Sequence, residues 1–437
     1  MAQVKLDSAE IKTFLKHIID TNRILQKDGK KTVAVSITGE SGLGKTTLAL
    51  DLATEYKFNC VKLNLSQIEE LGDLVGMVVR QFQMCKEGEI SEKKPIVVEP
   101  IFEYIDVEKI LPNGQKVKIK QKVEKTPETK YLTDDCLWVD ENAVEQYSKK
   151  GYGFTGKKRM SYCPPEWIAD KTDGGLLILD DFNRSDPRYM QATMELIDRG
   201  EYISWKLPPD WHIILTSNPE NGKYLVNTTD SAQKSRYISI EMAWSAERWA
   251  EWAEKEGIDQ RAINFVLLNP EIVTPECNPR SLVTFFNAIS SFGSFEKHLP
   301  MIQMLGEGSV GPYVATLFTT FINNKLDELV TPKEIFTGSD EKVVGDKLKA
   351  SIREKDGNYR ADIASVLLTR LINYALLYAE VNPIEPKHIN RLIYLINEPE
   401  IFTDDLKYHL VKKIINGNKT KFQKLLINPE VQNYITK

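Results

Sequence analysis

One stretch of the sequence decides the fold, and it is Gly39-Glu40-Ser41-Gly42-Leu43-Gly44-Lys45-Thr46. The apolar residues 33–37 precede it directly, and the helix-forming residues 47–53 follow it. This strand–loop–helix context is what the pattern G-x-x-x-x-G-K-[ST] requires in order to bind phosphate. The glycines let successive N–H groups point inward, and the helix N-terminus adds its unsatisfied donors. The stretch therefore predicts a phosphate-binding loop for a nucleoside triphosphate.

Two side chains of this loop have specific roles. Lys45 is long enough to bring its charge to the β- and γ-phosphates, and the Thr46 hydroxyl can ligate Mg²⁺. The predicted nucleotide-binding residues of the loop are Gly39, Glu40, Ser41, Gly42, Leu43, Gly44, Lys45, Thr46 and Thr47.

A second buried strand ends in two carboxylates, within Gly174-Gly175-Leu176-Leu177-Ile178-Leu179-Asp180-Asp181. An acid at the C-terminal end of a strand next to the phosphate loop holds the water shell of Mg²⁺, so we assign Asp180 to the metal together with Thr46. The next acid, Asp181, can orient or deprotonate the attacking water. Taken alone, this pattern is an ordinary strand that enters a polar loop. The phosphate loop upstream favours the catalytic interpretation.

Length and composition describe an ordinary folded protein. At 437 residues the chain is too long for one core, so we expect two or three domains. Apolar residues make up 42% and charged residues 27%, and the net charge of −5 gives no overall basic field for nucleic acid. We expect no signal sequence, and we expect that no stretch approaches the ~20 apolar residues that span a bilayer.

The five cysteines are scattered and form no CxxC pair. An odd number of cysteines without metal-ligand spacing is typical of reduced thiols. We therefore predict free thiols and a cytoplasmic protein, and the residues concerned are Cys60, Cys85, Cys136, Cys163 and Cys277.

Local patterns predict the elements around these motifs. A capping box at Asp7-Ser8-Ala9-Glu10 begins a helix with Ile11, Leu15, Ile18 and Leu25 on one face. The following elements are a strand at 58–65, a helix at 71–84, β-rich sequence at 95–125, irregular aromatic sequence at 126–170, a helix at 187–199, a short hairpin at 201–207, and strands at 212–218 and 237–242. From residue 244 onward the pattern is helical, and residues 361–377 form a strongly apolar helix that must be buried.

The segment between the phosphate loop and the acidic strand is about 70 residues longer than two βαβ units need. Within it, Pro112-Asn113-Gly114 favours a tight hairpin turn. The resulting register places Glu108 opposite Lys118 and Asp106 opposite Lys120, so that the lysines are largely matched by carboxylates. A solvated, cross-paired face is one interpretation of this hairpin. A contact surface for an acidic partner or nucleic acid is the other.

Together these motifs resemble those of the AAA+ ATPases, and within them the MoxR-like group, over roughly residues 10–300. Leu179-Asp180-Asp181-Phe182-Asn183-Arg184-Ser185 looks like the acidic motif of that group, and Thr216-Ser217-Asn218-Pro219 looks like its sensor-1 strand end. Residues 230–237 are similar to the segment that carries the arginine finger. Asn278-Pro279-Arg280-Ser281-Leu282 looks like the sensor-2 motif that opens a lid helix. The two β inserts are also features of this clade.

The resemblance implies roles for three further residues. Asn218 would help position the attacking water, and Arg280 on the lid would touch the nucleotide of its own subunit. Arg236 would act as an arginine finger on the nucleotide of a neighbouring subunit, which ties hydrolysis to ring assembly. Each also has a plainer interpretation, as a strand-end asparagine or as an arginine at a helix end. Arg184 is either a second cation at the subunit interface or, as the plainer interpretation, part of a surface salt bridge.

The resemblance further implies ATP and Mg²⁺ as cofactors and a homo-oligomeric ring, with a hexamer expected. Its partner would be a protein client or a factor with a von Willebrand A domain, and no membrane partner is expected. Residues 151–154 would supply an aromatic contact to a threaded chain or pack in the core. ATP rather than GTP rests on the resemblance alone.

One departure from the family pattern opens an alternative function. The family norm at position 181 is glutamate, and Asp181 reaches roughly 1.5 Å less far. A nucleotide-gated assembly scaffold with negligible hydrolysis is therefore an alternative to a remodelling ATPase, and a motor acting on DNA is another.

The predicted fold class is α/β, a P-loop αβα sandwich with β-hairpin inserts, followed by an α-helical lid and a further α-helical domain. The predicted domains are a nucleotide-binding core at 1–242 with an insert at about 85–165, a lid at 243–337, and a C-terminal helical domain at 338–437.

Overall fold

The computed structural model of the protein describes residues 4–88, 94–96, 101–110, 116–125, 130–338, 340–354 and 356–435. The strands are β1 (Val4–Leu6), β2 (Ala34–Thr38), β3 (Asn59–Asn64), β4 (Met77–Glu87), β5 (Lys94–Ile96), β6 (Ile101–Ile110), β7 (Lys116–Lys125), β8 (Lys130–Asp140), β9 (Tyr152–Cys163), β10 (Gly175–Asp180), β11 (Glu201–Tyr202), β12 (Trp205–Lys206), β13 (Trp211–Ser217) and β14 (Tyr237–Met242).

The helices carry most of the second half of the chain. They are α1 (Ser8–Lys27), α2 (Lys45–Tyr56), α3 (Leu71–Val75), α4 (Val144–Lys149), α5 (Glu166–Ala169), α6 (Pro187–Ala192), α7 (Met194–Arg199), α8 (Ser231–Lys234), α9 (Ala246–Lys255), α10 (Gln260–Leu268), α11 (Pro279–Ile289), α12 (Leu299–Val310), α13 (Pro312–Asn323), α14 (Pro332–Thr337), α15 (Glu341–Ser351), α16 (Ala361–Val381), α17 (Pro386–Asn397), α18 (Asp404–Asn418), α19 (Gln423–Leu426) and α20 (Pro429–Gln432).

The central sheet is parallel, in the order β1-β14-β2-β13-β10-β3. Alternate residues of its strands face opposite layers of helices. Ile37, Ile178 and Ile214 pack against α1 and α2, whereas Leu177, Leu179 and Leu215 pack on the side of α6 and α7. This arrangement confirms the predicted αβα sandwich, because buried strands covered on both faces are what a parallel sheet requires.

The strand order places one strand between the phosphate-loop strand and the acidic strand. The acidic strand β10 does not lie next to the phosphate-loop strand β2, because β13 pairs with both and separates them. The C-terminal ends of all three strands still meet at one edge of the sheet. The separation therefore brings the residues after β13 between the phosphate loop and the two carboxylates.

A second sheet, outside the central one, occupies the long segment before β10. Strands β4, β5, β8 and β9 form an antiparallel sheet in the order β5-β8-β4-β9, and β6 pairs with β7 in a separate two-stranded hairpin. The expectation of irregular structure at 126–170 is wrong, because β8 and β9 lie there. Their ring contacts favour the packing interpretation of residues 151–154, since Phe154 contacts Phe82 and Tyr152 contacts Tyr147.

The hairpin formed by β6 and β7 has the predicted register. Glu108 lies opposite Lys118 and Asp106 opposite Lys120, while the predicted turn lies outside the described residues. Lys116 also approaches Glu108, at 3.5 Å. The short predicted hairpin at 201–207 is present as β11 and β12, and its Tyr202 ring packs edge-on against Tyr162 of β9. The hairpin of β11 and β12 therefore contacts the antiparallel sheet that contains β9.

The predicted helix at 71–84 is wrong beyond its first turns. Helix α3 ends at Val75, and the strand β4 begins at Met77. Gly76 between them has φ +88°, and a Cβ added there would overlap the carbonyl oxygen of Cys163. A positive φ and a close backbone approach both require glycine, so this residue ends the helix and redirects the chain into the insert.

Two of the five cysteines are not free. Cys85 of β4 and Cys136 of β8 are direct partners in the antiparallel register and form a disulfide. The expectation of free thiols is therefore wrong for this pair, because nothing in the local sequence shows that residues 51 positions apart face each other. Cys60, Cys163 and Cys277 are free.

The helices after β14 surround two hydrophobic clusters. One extends from Trp249 to Ile322 and the other from Ile335 to Val431. These clusters are compatible with separate lid and C-terminal regions, and the predicted domain limits stay a prediction.

Among the described residues, helix α16 is the one helix that is long and apolar enough to cross a membrane by length and composition alone. The expectation that no stretch approaches this limit is therefore wrong by that criterion. Most of the helix lies inside the C-terminal cluster, as the prediction of a buried helix requires. Its Arg370 is 1% exposed and pairs with Glu254 of α9 at 2.8 Å. These contacts are typical of the core helix of a folded domain.

Candidate nucleotide-binding site

The phosphate loop connects β2 to α2 at the C-terminal edge of the central sheet. Gly42 and Gly44 have φ +78° and +90°, which curls the loop back toward the helix. Gly44 is the N-cap of α2 and offers no side-chain acceptor to the first-turn N–H groups. The N–H groups of this first turn, which includes Thr46 and Thr47, therefore have no side-chain cap. They are the donors that an anion needs.

Lys45 folds back over its own loop. Its Nζ donates to the carbonyl oxygens of Gly39 at 2.6 Å and Glu40 at 2.9 Å, and it lies 3.3 Å from Asn218 Oδ1. The residue is 8% exposed. Burial lowers the pKa of Lys45 to about 8, although the charges of Asp181 and Asp180 oppose the shift.

Asp180 and Thr46 form a donor set that fits Mg²⁺. Asp180 Oδ1 accepts hydrogen bonds of 2.6 Å from the hydroxyls of Thr46 and Thr216, and its Oδ2 lies 2.9 Å from Lys62 Nζ. A carboxylate and a hydroxyl that share one edge are hard oxygen ligands of the kind Mg²⁺ prefers. Burial alone would raise the pKa of Asp180, but the hydrogen bonds from Thr216, Thr46 and Lys62 outweigh it and lower that pKa. The carboxylate is therefore kept ionised.

Asp181 and Asn218 meet beside this pair. Asn218 Nδ2 donates to Asp181 Oδ1 at 3.3 Å, and Arg184 Nη1 lies 3.5 Å from Asp181 Oδ2. Asp181 has φ +52° and ψ +38°, a left-handed conformation that aspartate tolerates better than most residues. The structure therefore brings Lys45, Asp180, Asp181 and Asn218 together.

Three residues of this site were assigned no role from the sequence. Asn183 is buried and holds Asn218 in place, because its Nδ2 donates to Asn218 O at 2.8 Å and its Oδ1 accepts from Asn218 N at 3.1 Å. Thr216 and Lys62 both contact Asp180. Asn183 and Thr216 lie within the acidic and sensor-1 motifs, so their positions in the sequence could have indicated a role in the site. Lys62 lies on β3, outside every motif, and nothing in the sequence indicated its role.

The rim of the loop contacts the segment after β13. Tyr224 donates to Glu40 Oε2 at 2.5 Å and accepts from the N–H of Ser41 at 3.2 Å. The backbone N–H of Gly39 donates to Ser217 O at 3.3 Å. The loop is therefore fastened at both its start and its rim, while Leu43 packs against the cluster of α1 and α2.

The start of α11 approaches the loop at Gly42. A Cβ added to Gly42 would lie 2.7 Å from Asn278 Oδ1 and 3.2 Å from Arg280 Cβ. Asn278 is the N-cap of α11 and accepts from the N–H of Ser281. Arg280 therefore lies near the phosphate loop of its own chain, exposed at the start of α11, and its predicted contact with nucleotide stays a prediction.

Arg236 follows α8 and is held within that segment. Its Nη1 donates to Ala232 O at 2.7 Å, and the residue is partly exposed. The capping box formed by Asp230 and Gln233 stabilises the start of α8. The structure gives Arg236 no contact with Asp181 or Lys45 of the same chain, and its action on a neighbouring subunit stays a prediction.

Comparisons with known proteins agree with this geometry. Residues 35–102 match the model of the "ATPase family associated with various cellular activities (AAA)". No curated protein matches the chain.

Two solved structures of Thermotoga maritima RuvB resemble the chain over most of its length. A lysine-to-arginine mutant is 14% identical with a TM-score of 0.35, covering 92% of this chain and 94% of its own. A proline-to-glycine mutant is 12% identical with a TM-score of 0.27, covering 92% of this chain and 97% of its own. Both TM-scores are low, so these structures carry no part of the functional argument. The matched family segment covers the phosphate loop and the strands β2 and β3 of the parallel sheet, so this part of the chain is similar to the AAA ATPase family.

Proposed function

We propose that this protein is an ATP-binding and ATP-hydrolysing AAA+ protein of the MoxR-like type, which assembles as a ring and remodels a protein or protein complex. The observation that carries the proposal is the convergence of Lys45, Asp181 and Asn218 at the mouth of the phosphate loop. An AAA family domain generally has ATPase activity, and AAA+ proteins typically act as rings. The MoxR type rests on the motifs quoted from the sequence.

The residues of the site divide the work of hydrolysis. The loop amides and Lys45 bind the β- and γ-phosphates, and Arg280 on the lid contacts them from the other side. Thr46 and Asp180 would hold Mg²⁺, which would supply charge neutralisation on the phosphates. Asp181 accepts a proton from the attacking water, and Asn218 orients that water. The 3.3 Å contact between Asn218 and Asp181 puts these two groups within reach of one water molecule.

The test of hydrolysis is the ATPase activity of the purified protein and of three variants. Lys45→Ala, Asp181→Asn and Arg236→Ala should each lose most of the turnover. The matched control is Arg199→Ala, which removes an exposed arginine whose ion pairs with Asp198 and Glu201 are long, at 3.8 and 4.0 Å. Unchanged turnover in all three variants would contradict the proposal.

Mixing two inactive variants tests the ring separately. A Lys45→Ala subunit cannot bind phosphate well, but it carries an intact Arg236. Adding it to an Arg236→Ala preparation should partly restore turnover, because the missing guanidinium is then supplied by the neighbour. Absence of any rescue, with both variants folded and assembled, would contradict action in trans.

A second candidate function is a nucleotide-gated scaffold with negligible hydrolysis. It is favoured by the state of Asp181, whose shorter side chain already has partners at both oxygens, Asn218 at 3.3 Å and Arg184 at 3.5 Å. Binding of ATP should then change the mass of the complex while phosphate release stays at background. Turnover above about one per minute would exclude this candidate, since the slowest switches run far below that rate.

A further inference from the structure

Lys62 lies beside the predicted metal ligand without any role in binding phosphate. It belongs to β3, the strand at the end of the central sheet, and its Nζ is 2.9 Å from Asp180 Oδ2. The other oxygen, Oδ1, already accepts hydrogen bonds from the Thr46 and Thr216 hydroxyls. Both oxygens of Asp180 are therefore engaged, one of them by a full positive charge.

The parallel register explains how Lys62 reaches this carboxylate. Lys62 pairs with Ile178, and Asn64 pairs with Asp180. Directly paired residues point to the same face of a sheet, and so do residues two positions apart. The lysine side chain therefore lies on the same face as Asp180, two residues earlier, and its length carries the ammonium along the strand to the carboxylate.

The environment distinguishes this pair from an ordinary surface ion pair. The Lys62 side chain is 43% exposed, but that of Asp180 is only 12% exposed. The carboxylate is held in place by two hydroxyls, so it cannot turn away from the ammonium. A divalent cation that binds Asp180 must therefore approach a positive charge that lies 2.9 Å from that carboxylate.

We propose that Lys62 is a positioning residue that competes with Mg²⁺ for Asp180, so that the free protein binds divalent cations weakly and takes up the metal together with the triphosphate. The inference rests on the proposed function, because it assigns Mg²⁺ to Asp180 and Thr46. The negative charge of a bound triphosphate offsets the repulsion between Lys62 and the metal, and its oxygens supply further ligands. Metal entry is in this way tied to nucleotide entry.

The test is Mn²⁺ binding by nucleotide-free protein, measured from the electron paramagnetic resonance signal of free Mn²⁺. Lys62→Met and Lys62→Gln should bind Mn²⁺ at least about tenfold more tightly than the wild type, because a like charge within a few ångströms is removed. Lys62→Arg keeps the charge and should stay weak. The matched control is Lys5→Met, which removes an ion pair of similar length, 3.1 Å to Glu241, at the opposite end of the sheet.

A double variant tests whether the gain in Mn²⁺ affinity depends on Asp180. Adding Asp180→Asn to Lys62→Met should abolish the gain, since the metal then loses its carboxylate. Equal Mn²⁺ affinity in the wild type and both neutral Lys62 variants would overturn the inference, and so would a gain that survives Asp180→Asn. These measurements need no hydrolysis, so absent ATP turnover would count against the proposed function alone.

Discussion

At the scale of single residues, Lys45 must satisfy two opposing requirements. It must be buried against the loop to meet the phosphates, and burial disfavours its charged form. The pKa of about 8 reflects this conflict, with Asp181, Asp180 and Glu40 supplying the negative charge that limits the shift. The ammonium meanwhile bonds to the carbonyl oxygens of Gly39 and Glu40, so it must leave them to reach a phosphate.

This pKa predicts a pH dependence of nucleotide binding. Below pH 8 Lys45 is protonated and affinity should be steady, whereas above pH 8 affinity should fall by up to about tenfold per pH unit. The measurement is the binding of a fluorescent ADP analogue between pH 6.5 and 9.5, values chosen to lie roughly 1.5 units on each side. Lys45→Arg keeps its charge throughout and should show no such fall. Equal affinity of the wild type at pH 7 and at about 9.5 would contradict the prediction.

The contribution of Lys45 to the stability of the free protein should change in the opposite direction. The pKa of Lys45 in the folded protein lies below its ordinary value of 10.5, so the unfolded chain binds more protons between these two values. Lys45 therefore contributes an unfolding free energy that rises as the pH increases from about 8 to 10.5.

At the scale of elements, Gly76 decides where the core ends and the insert begins. It ends α3, turns the chain at φ +88°, and lets the backbone pass directly against Cys163 at the end of β9. The same junction is held by the Trp205 indole, which donates to Val75 O at 3.0 Å. The insert is therefore anchored by the close backbone approach at Gly76 and by the hydrogen bond from the Trp205 side chain.

Gly76→Ala should unfold the junction. The added Cβ meets a backbone carbonyl that cannot move aside, and the positive φ is itself unfavourable for alanine, so we expect a loss of more than about 3 kcal/mol. Gly29→Ala is the matched control, since Gly29 has φ +65° with no atom within 4 Å of the added Cβ. The control should lose only about 1 kcal/mol. Chemical unfolding of both variants measures the difference, and equal losses would show that the close approach is unimportant.

At the scale of the whole molecule, a buried ion pair joins α16 to the helices that precede it in the chain. Arg370 of α16 donates to Glu254 of α9 at 2.8 Å and to Asn264 of α10 at 2.7 Å. The pair lies beside a cleft of about 1200 Å³ between these helices, away from the phosphate loop. This contact therefore links the two hydrophobic clusters formed by the helices after β14.

Breaking this pair from one side should be costly. Arg370→Met leaves the Glu254 carboxylate buried without a partner, and we expect a loss of about 3–5 kcal/mol. Lys413→Met is the control, because Lys413 of α18 pairs with Glu247 of α9 at 3.2 Å in a more exposed setting, worth about 0–1 kcal/mol. Urea unfolding measures both. Removing Glu254 as well should recover much of the loss, and equal losses in the two single variants would contradict the prediction.

The sequence by itself determined the chemistry of short segments. The phosphate loop, the carboxylates that end β10, the capping box of α1 and the register of the β6–β7 hairpin all depend on neighbouring residues and on the backbone preferences of glycine, proline and strand-forming residues. The same local reasoning failed at α3, because residues 71–84 have enough apolar positions to suit either a helix or a strand. There the close approach of Gly76 to Cys163 ended the helix and started the strand.

Only the tertiary structure decided which distant residues meet. It separated β2 from β10 by β13, brought Lys62 to Asp180, paired Cys85 with Cys136, and set Arg370 against Glu254. The physical reason is that the order of strands and the contacts between helices follow from packing of whole hydrophobic faces. That packing is a property of the assembled chain, and no single stretch of residues contains it.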